Sequence, residues 1–290
     1  MTFPDLLTLT KVRVNTLVVA TTAGGYYMAA PAVVDWPTLV LTCLCTALVA
    51  SGAAAINQVD ERETDRLMAR TRLRPIADRR MSPAVGRIVA GVLSAGGLTG
   101  LWLVSNPTAA AVALVTLITY AVVYTPLKRR TSLSTVVGAV PGALPPLIGW
   151  ASAGGSLATL APWSLFVVMF LWQLPHVLAI AWMYRDDYAR AGLPMLPVAD
   201  AAGVMTGRQA VLWAATIVPL SELPFLLGLV GGAYAIGALV LGIAQLAIAA
   251  RFAVLRTHTA ARGLFYGSIT YLPLLWVLMG VTRVNGAMGQ

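Results

Sequence analysis

The sequence predicts an all-α membrane protein: a polytopic helix bundle of about nine transmembrane helices, in one domain over residues 1–290, with its active site on the cytoplasmic side. Hydrophobic residues make up 58% of the 290 residues and charged residues 11%, whereas soluble domains carry roughly a quarter charged residues. The apolar residues fall in separate long runs, and the basic residues collect in alternate connections between them. These three features are typical of a polytopic membrane protein.

Each apolar run is close to the length of about 20 residues that crosses a bilayer as a helix. The runs predict nine spans, at roughly 14–34, 37–58, 84–104, 107–125, 134–153, 162–183, 209–230, 232–250 and 264–282. Glu222 lies inside the seventh run with prolines nearby on both sides, and the sequence leaves its role open.

Lysine and arginine predict the orientation of these spans. The N-terminal segment and the even-numbered connections contain them, within 11–13, 62–87, 128–130, 185–208 and 251–262, and the odd-numbered connections contain none. By the positive-inside rule the N-terminus is cytoplasmic and the C-terminus lies outside, with Arg283 as the one exception. The net charge of +9 therefore indicates a lipid bilayer as partner and no nucleic acid. Polar motifs on one side favour an enzyme over a transporter, which needs access from both sides.

The most polar part of the chain is the stretch 57–75, where the second run ends. Asn57, Glu61 and Asp65 are four residues apart each time, so on a helix all three share one face. Three arginines follow them, at Arg70, Arg72 and Arg74. Magnesium takes oxygen ligands and shares them with substrate phosphates, and guanidinium groups match phosphate oxygens. The pattern favours a magnesium and phosphate site over the alternative, a solvated loop of mixed charge.

Three further motifs lie near the predicted cytoplasmic side. Tyr124 and Lys128 are four residues apart and either meet one anion or form an aromatic and basic interface anchor. His176 follows Pro175 inside the sixth run. It is either a substrate-orienting group or iron ligand, or a histidine that hydrogen-bonds two helices. The only other histidine, His258, is expected in a solvated loop.

The segment 184–192 ends the sixth run and repeats the mixture of carboxylates and arginines. Asp186 and Asp187 are adjacent and cannot share a helix face, so joint capture of an ion is less direct than at the first stretch. A substrate contact and a solvated helix end are both consistent with this pattern.

These motifs together resemble a known family. Asn57-x3-Glu61-x3-Asp65 resembles the Asn-x3-Asp-x3-Asp motif of the UbiA-type intramembrane prenyltransferases, and Tyr124-x3-Lys128 resembles their Tyr-x3-Lys motif. Six segments are similar to one branch, the protohaem IX farnesyltransferases or haem O synthases: 68–75, 124–131, 137–150, 170–176, 181–188 and 193–197. Residues 264–272 also resemble this branch.

The chain departs from the family pattern at three places. Glu61 replaces an aspartate, which keeps the charge and adds one methylene. A valine at position 12 stands where proline is common between the lysine and the arginine. The second Asp-x3-Asp pair of the wider superfamily is reduced to Asp186 and Asp187.

The resemblance implies transfer of the farnesyl group of farnesyl diphosphate to a vinyl group of haem b, with addition of water and loss of diphosphate, and Mg²⁺ as cofactor. The implied catalytic residues are Asn57, Glu61, Asp65, Tyr124 and Lys128. The implied diphosphate-binding residues are Lys11, Arg13, Arg70, Arg74, Lys128 and Arg129. The implied metal ligands are Asn57, Glu61 and Asp65, with Asp186 and Asp187 as candidates for a second site. The implied haem-binding residues are His176, Arg185 and Tyr188.

The implied location is a prokaryotic plasma membrane, with a haem A synthase or an oxidase assembly as a further candidate partner. Two alternatives stay open: a UbiA-type enzyme with another aromatic or tetrapyrrole acceptor, and a haem or lipid carrier that performs no chemistry.

Overall fold

A computed structural model describes residues 2–284, and within this range the chain is helical, with a single isolated bridge between Val230 and Arg283. The all-α prediction is confirmed. The helices are α1 (Phe3–Leu9), α2 (Val12–Ala29), α3 (Trp36–Asp60), α4 (Arg62–Leu67), α5 (Pro83–Val104), α6 (Pro107–Ile118), α7 (Thr125–Leu127), α8 (Ser134–Ala143), α9 (Pro145–Ser152), α10 (Leu160–Met183), α11 (Arg185–Arg190), α12 (Leu196–Ala199), α13 (Val204–Leu220), α14 (Leu223–Leu226), α15 (Gly232–Leu255) and α16 (His258–Val281).

The long helices correspond to the predicted spans. In residues 2–284, eight segments are long and apolar enough to cross a membrane: Trp36–Asp60, Pro83–Val104, Pro107–Leu127, Ser134–Ser152, Leu160–Met183, Val204–Leu226, Gly232–Leu255 and His258–Val281. The first predicted span corresponds to α2, which has 18 residues and packs against α3 and α9. The structure therefore agrees with a bundle of about nine transmembrane helices.

One predicted boundary is wrong, and one predicted span is interrupted by a turn. The ninth span was expected from residue 264, but α16 begins at His258 because the Thr257 hydroxyl accepts a hydrogen bond from the Ala260 amide, 3.2 Å away, and caps the helix. His258 is thus the first residue of a helix and does not belong to a loop. The seventh run spans a turn, since α13 ends at Leu220 and α14 starts at Leu223.

Two spans change their helical geometry. Between α6 and α7 the chain forms a π-helical turn, Thr119–Tyr124, and such turns are frequent at functional sites. The fifth span divides into α8 and α9 at Leu144, where two prolines follow. Thr125, directly after the π-helical turn, is buried in the bundle.

Small residues allow close helix contacts at the centre. Gly25 of α2 lies against the backbone of Pro146 in α9, and Gly149 lies against the backbone of Thr22. A Cβ atom at either glycine would overlap the facing carbonyl group. Small residues at such crossings are usual in membrane bundles. By contrast, the outward faces carry exposed large apolar side chains such as Val92 on α5, as expected for contact with lipid.

The connections gather at two ends of the bundle. At one end, Lys11 contacts Asn57, Lys128 contacts Glu61, and Arg70 contacts Tyr188. We call this the basic end; it contains residues 11–13, 57–81, 124–131, 184–203 and 255–262. At the opposite end, Arg283 donates to the Ala30 carbonyl and Asn106 donates to the Ala151 carbonyl. The even-numbered connections thus share one end, as the distribution of charge predicts.

Candidate active site

Three oxygen-bearing side chains are buried where α3 ends. Asn57, Glu61 and Asp65 expose 2%, 3% and 0% of their surfaces. The α-helix ends at Asp60, but helical hydrogen bonding continues: the Glu61 amide donates to the Asn57 carbonyl at 2.9 Å, and the Asp65 amide to the Glu61 carbonyl at 2.8 Å. The three residues therefore remain one helical turn apart, as their spacing predicts.

Two of these side chains are held by lysines from other helices. Lys11, between α1 and α2, donates from Nζ to Oδ1 of Asn57 at 2.8 Å. Lys128, which follows α7, donates from Nζ to both carboxylate oxygens of Glu61 at 3.1 Å. The π-helical turn before α7 brings this lysine to the end of α3. Residues more than 40 positions apart in the sequence therefore meet on one buried surface.

The third side chain is held by an arginine of its own segment. Nη1 of Arg74 lies 2.8 Å and 2.7 Å from the two carboxylate oxygens of Asp65. The Thr71 hydroxyl donates to the Asp65 carbonyl at 3.0 Å and fixes the turn between them. We call the whole set the polar cluster; it comprises Lys11, Asn57, Glu61, Asp65, Arg74 and Lys128. Two carboxylates and three basic groups give it a formal charge of +1 when all are ionised.

Burial and neighbouring charge act in opposite directions in the polar cluster. Burial by itself raises the pKa of Glu61, but the charges of Lys128 and Lys11 outweigh burial, and the net pKa is lowered. Burial by itself lowers the pKa of Lys128, but contact with the Glu61 carboxylate contributes to a net pKa above the ordinary range. For Lys11, burial and the charge of Arg74 lower the pKa to about 7. Glu61 and Lys128 are therefore an ionised pair at neutral pH.

The donor set of the polar cluster fits a hard divalent cation. Asn57, Glu61 and Asp65 offer amide and carboxylate oxygens, the ligands that Mg²⁺ prefers, and Mg²⁺ usually combines one or two carboxylates with phosphate oxygens and water. Within residues 2–284 no three His, Cys, Asp or Glu side chains come together as a metal site. A Mg²⁺ ion held here would therefore draw the rest of its ligands from a bound phosphate and from water.

Among the described residues the Tyr124 hydroxyl has no hydrogen-bond partner, and an anion shared with Lys128 stays a prediction. The Tyr124 ring lies beside the Tyr120 ring, with centroids 5.4 Å apart, and against Gly138. The hydroxyl that contacts Asn57 belongs to Thr125, whose Oγ1 lies 3.4 Å from the Asn57 amide nitrogen. Sequence analysis missed Thr125, although its position next to the Tyr-x3-Lys motif was an available indication.

Arg70 lies apart from Arg74, against the expectation that both face one phosphate group. Its guanidinium lies 5.0 Å from the Tyr184 ring centroid and donates to the Tyr188 hydroxyl at 3.4 Å. The reason is the break after α4: Met68 has extended backbone angles and is buried against Tyr188. Arg70 is therefore turned toward α10 and α11, and Arg74 is turned back toward Asp65.

The remaining predicted residues around α11 face outward or toward separate partners. Arg185 lies 4.4 Å from the Trp182 ring and 3.9 Å from an exposed Asp186 oxygen. Asp187 is buried and accepts from Arg190 and from the Arg70 amide. The two aspartates thus point to different partners, and a second metal site between them stays a prediction.

Two predicted diphosphate-binding arginines lie at the rim of the polar cluster. Arg129 donates to the carbonyl oxygen of Asp60 at the end of α3. Arg13 is exposed on the first turn of α2 and is not brought into the polar cluster with Lys11.

His176 is enclosed by aromatic rings within α10. Its ring stacks between Trp172, 5.0 Å away, and Phe265, 5.1 Å away, and its Nδ1 lies 2.8 Å from Oγ of Ser268. The Ser268 hydroxyl has one hydrogen and donates it to the Phe265 carbonyl at 2.7 Å. In this arrangement Nδ1 of His176 donates to the serine oxygen, and the lone pair of Nε2 is available.

A cleft of about 450 Å³ lies between α10 and α16 at the basic end. We call it the α10–α16 cleft; it is lined by Arg70, Ile180, Met183, Tyr184, His258, Arg262, Phe265 and Tyr266. Sequence analysis assigned no role to His258 or Arg262. Their spacing with Tyr266, four residues apart each time, places all three on one face of α16 and could have indicated a shared surface.

The family model described as the UbiA prenyltransferase family matches residues 17–279. Protoheme IX farnesyltransferase of Solibacter usitatus (strain Ellin6076) is 45% identical over 290 residues, which cover 96% of this chain and 98% of the relative. The protein of the same name from Koribacter versatilis (strain Ellin345) is 42% identical, covering 96% of this chain and 93% of the relative.

Two solved structures have the same fold. A structure described for digeranylgeranylglyceryl phosphate synthase superposes with a TM-score of 0.79 at 17% identity and covers 99% of both chains. A UbiA homologue from Archaeoglobus fulgidus, bound to GPP and Mg²⁺, superposes with a TM-score of 0.66 at 15% identity, covering 95% of this chain and 99% of that one.

Proposed function

The chain belongs to the UbiA prenyltransferase family, and we propose that it transfers the farnesyl group of farnesyl diphosphate to a vinyl group of protohaem IX, giving haem O. The observation that carries the prenyl-transfer chemistry is the polar cluster, in which three buried oxygen-bearing side chains are each matched by a basic side chain. The acceptor follows from the relatives that share 45% and 42% identity over nearly the whole chain.

We propose Mg²⁺ as the cofactor, with Asn57, Glu61 and Asp65 as the residues that would hold it. A bound Mg²⁺ would stabilise negative charge on the departing diphosphate. A UbiA homologue of the same fold was solved with GPP and Mg²⁺, which supports a shared arrangement. The amide and two carboxylates, buried on one helical face, supply the oxygen donors that such an ion requires.

The basic residues of the polar cluster bind the diphosphate in this proposal. Breaking the allylic carbon–oxygen bond builds negative charge on the leaving oxygen, and fixed positive groups in a buried site stabilise that charge. Lys11, Arg74 and Lys128 lie where they can do this, because each already contacts a candidate metal ligand. Arg129 and Arg13 lie further out at the rim. Tyr124 lies one helical turn before Lys128, with its ring beside Tyr120.

The haem side of the reaction is proposed for α10 and α11. His176 presents the lone pair of Nε2, either to the haem iron or to a hydrogen-bond donor. Arg185 and Tyr188 lie in α11, which follows α10 directly. The new carbon–carbon bond joins the farnesyl carbon to the vinyl group, and the resulting cation next to the macrocycle takes up water and releases a proton.

We propose that the protein lies in a prokaryotic plasma membrane with its basic end and N-terminus in the cytoplasm. The bundle is a multi-pass membrane structure, and the charge asymmetry between its ends supports this orientation. Reporter fusions after Arg190 and Arg256 are expected to give a cytoplasmic signal, and a fusion at Gly154 an external one. A cytoplasmic signal at Gly154 would contradict the proposed orientation.

A haem A synthase or oxidase assembly is proposed to receive the apolar product.

The reaction itself is tested by incubating the purified protein with haem b, farnesyl diphosphate and Mg²⁺, followed by mass analysis of the porphyrin. We expect a porphyrin that has gained one farnesyl group and, on the former vinyl carbon, one hydroxyl group, and this product should be absent when the metal is chelated. Haem that binds but is recovered unchanged would indicate a carrier. Transfer to a different aromatic acceptor, with no adduct on haem, would indicate another member of the enzyme family.

A further inference from the structure

We propose that the α10–α16 cleft holds the carboxylate groups of the acceptor, with Arg262 and Arg70 as the residues that bind them. The proposal rests on the proposed function, since the acceptor is then haem, a flat apolar macrocycle with two propionate groups. It adds Arg262 and His258 to the acceptor site and moves Arg70 from the diphosphate to the acceptor.

The charge of the cleft is unbalanced. Its lining contains two arginines and a histidine, and none of the described residues that line it is acidic. In residues 2–284, neither Arg70 nor Arg262 forms an ion pair with a carboxylate, whereas Arg74 and Lys128 in the polar cluster both do. A guanidinium group without a protein carboxylate is suited to bind one on a ligand, because charge-assisted bidentate pairs are the strong ones.

Both guanidinium groups are supported by aromatic rings. Arg70 lies 5.0 Å from the Tyr184 ring centroid and Arg262 lies 5.9 Å from that of Tyr266. Contact with a ring face orients the guanidinium and leaves its N–H edge available for oxygen atoms. The two arginines come from different parts of the chain, one from the turn after α4 and the other from α16. Two carboxylates on one ligand can therefore each meet a separate arginine.

The size and lining of the cleft fit an amphiphilic ligand. Its volume of about 450 Å³ lies in the range of roughly 300–1,000 Å³ that is usual for small-molecule sites. Ile180, Met183 and Phe265 provide apolar walls, and the basic side chains lie toward the basic end. A macrocycle can place its apolar face between the helices and its carboxylates at the basic end.

Phe265 connects the cleft to His176. It lines the cleft and stacks on the His176 ring with an interplanar angle of 25°. A ligand held at Arg70 and Arg262 is therefore one aromatic ring away from the proposed haem-binding histidine. Arg70 also lies four residues before Arg74, which holds Asp65. The same short segment thus reaches both the acceptor cleft and the polar cluster.

An anionic phospholipid head group at the membrane interface offers the same charge chemistry as a propionate. The two sources differ in the carboxylates, so the test compares haem with its dimethyl ester, in which both propionates are esterified. Binding is followed by absorption titration of the full chain in nanodiscs. One set contains only phosphatidylcholine, and the other contains phosphatidylglycerol as well.

We expect the wild-type protein to bind haem about tenfold or more tightly than the ester, since charge-assisted hydrogen bonds are each worth roughly 1.5–3 kcal/mol. Arg262→Gln should lose this preference and leave the KM for farnesyl diphosphate unchanged. The matched control is Arg208→Gln, which removes another exposed arginine at the start of α13 and should keep the preference.

Equal binding of haem and its ester by the wild-type protein would overturn the proposal, and this result does not depend on any variant folding. Loss of haem binding only in the phosphatidylglycerol nanodiscs, with no effect of esterification, would assign the cleft to lipid and also overturn it. Because binding is measured without turnover, the two proposals fail separately. Formation of haem O without discrimination against the ester rejects only the cleft, and discrimination without formation of haem O rejects only the enzyme.

Discussion

The polar cluster and the α10–α16 cleft both lie at the basic end, but they use positive charge in different ways. In the polar cluster the Lys128 side chain is 12% exposed and Arg74 is 20% exposed, and each is paired with a carboxylate. In the cleft Arg70 and Arg262 are exposed and lie over tyrosine rings. Neither has a carboxylate partner among the described residues.

This difference indicates how one end of a bundle can bind two anionic substrates at two separate places. A carboxylate already paired with a basic group remains ionised when buried, so it is ready for a divalent cation and its diphosphate. An arginine that contacts aromatic rings and hydroxyls but no protein carboxylate is suited to a carboxylate ligand. Changes in the polar cluster should therefore affect diphosphate chemistry, and changes in the cleft should affect the acceptor.

The largest effect is expected from Asp65→Ala. It removes one candidate metal ligand and leaves Arg74 without its carboxylate, so turnover should fall by about a hundredfold to a thousandfold or more. Haem affinity should stay within about twofold, because Asp65 does not line the cleft. Turnover is measured by formation of the porphyrin adduct, and helicity by circular dichroism.

Glu63→Ala is the matched control for this change. Glu63 lies in the same segment but is 62% exposed and pairs only with the neighbouring Arg62 and Arg66, and exposed pairs of this kind contribute little. Its turnover should equal that of the wild-type protein. Normal magnesium-dependent turnover in a helical Asp65→Ala protein would contradict the assignment of Asp65 as a metal ligand. It would also contradict the division of roles between the polar cluster and the cleft.

His176→Ala should have an intermediate effect with the opposite selectivity. Haem affinity should fall by about tenfold or more and the Soret band should change, as expected when a group at the metal is lost. The KM for farnesyl diphosphate should stay unchanged, because its contacts lie in the polar cluster. His258→Ala provides the comparison: it should weaken haem binding at the rim without altering the band. An unaltered spectrum and affinity in His176→Ala would leave this residue as a link between helices.

The sequence predicts those parts of the fold and site that depend on local geometry. Crossing a bilayer requires about 20 apolar residues, so the runs locate the long helices to within a few residues. The four-residue spacing of Asn57, Glu61 and Asp65 places them on one face because helical hydrogen bonding persists beyond Asp60. The shared end of the even-numbered connections follows from the alternation of charge.

What the sequence does not predict depends on tertiary contacts. Arg70 and Arg74 separate because Met68 is packed against Tyr188, a residue 120 positions away. Thr125 meets Asn57 only after the π-helical turn rotates the end of the fourth span. His258 belongs to α16 because Thr257 caps the helix, and the polar first turn lies outside the apolar run of residues 264–282. Long-range packing decides the positions of Arg70 and Thr125, and a local cap decides that of His258.

The smallest effect is expected from Ser268→Ala, which removes the group that accepts from Nδ1 of His176 at 2.8 Å. Without it the imidazole hydrogen is free to move from Nδ1 to Nε2. A fraction of the protein then presents to haem a protonated Nε2 that has no lone pair. Haem affinity should fall by up to about tenfold, within the range for residues that orient a metal ligand. The change in the Soret band should be smaller than in His176→Ala.

Ser164→Ala is the matched control, because Ser164 is a buried serine of α10 whose hydroxyl also donates to the carbonyl three residues earlier, at 2.6 Å. It removes the same local bond without touching the histidine. If the two serine variants show the same haem spectrum and affinity, Ser268 does not set the tautomer of His176. The side chains of the acceptor region would then be fixed by fewer hydrogen bonds than those of the polar cluster.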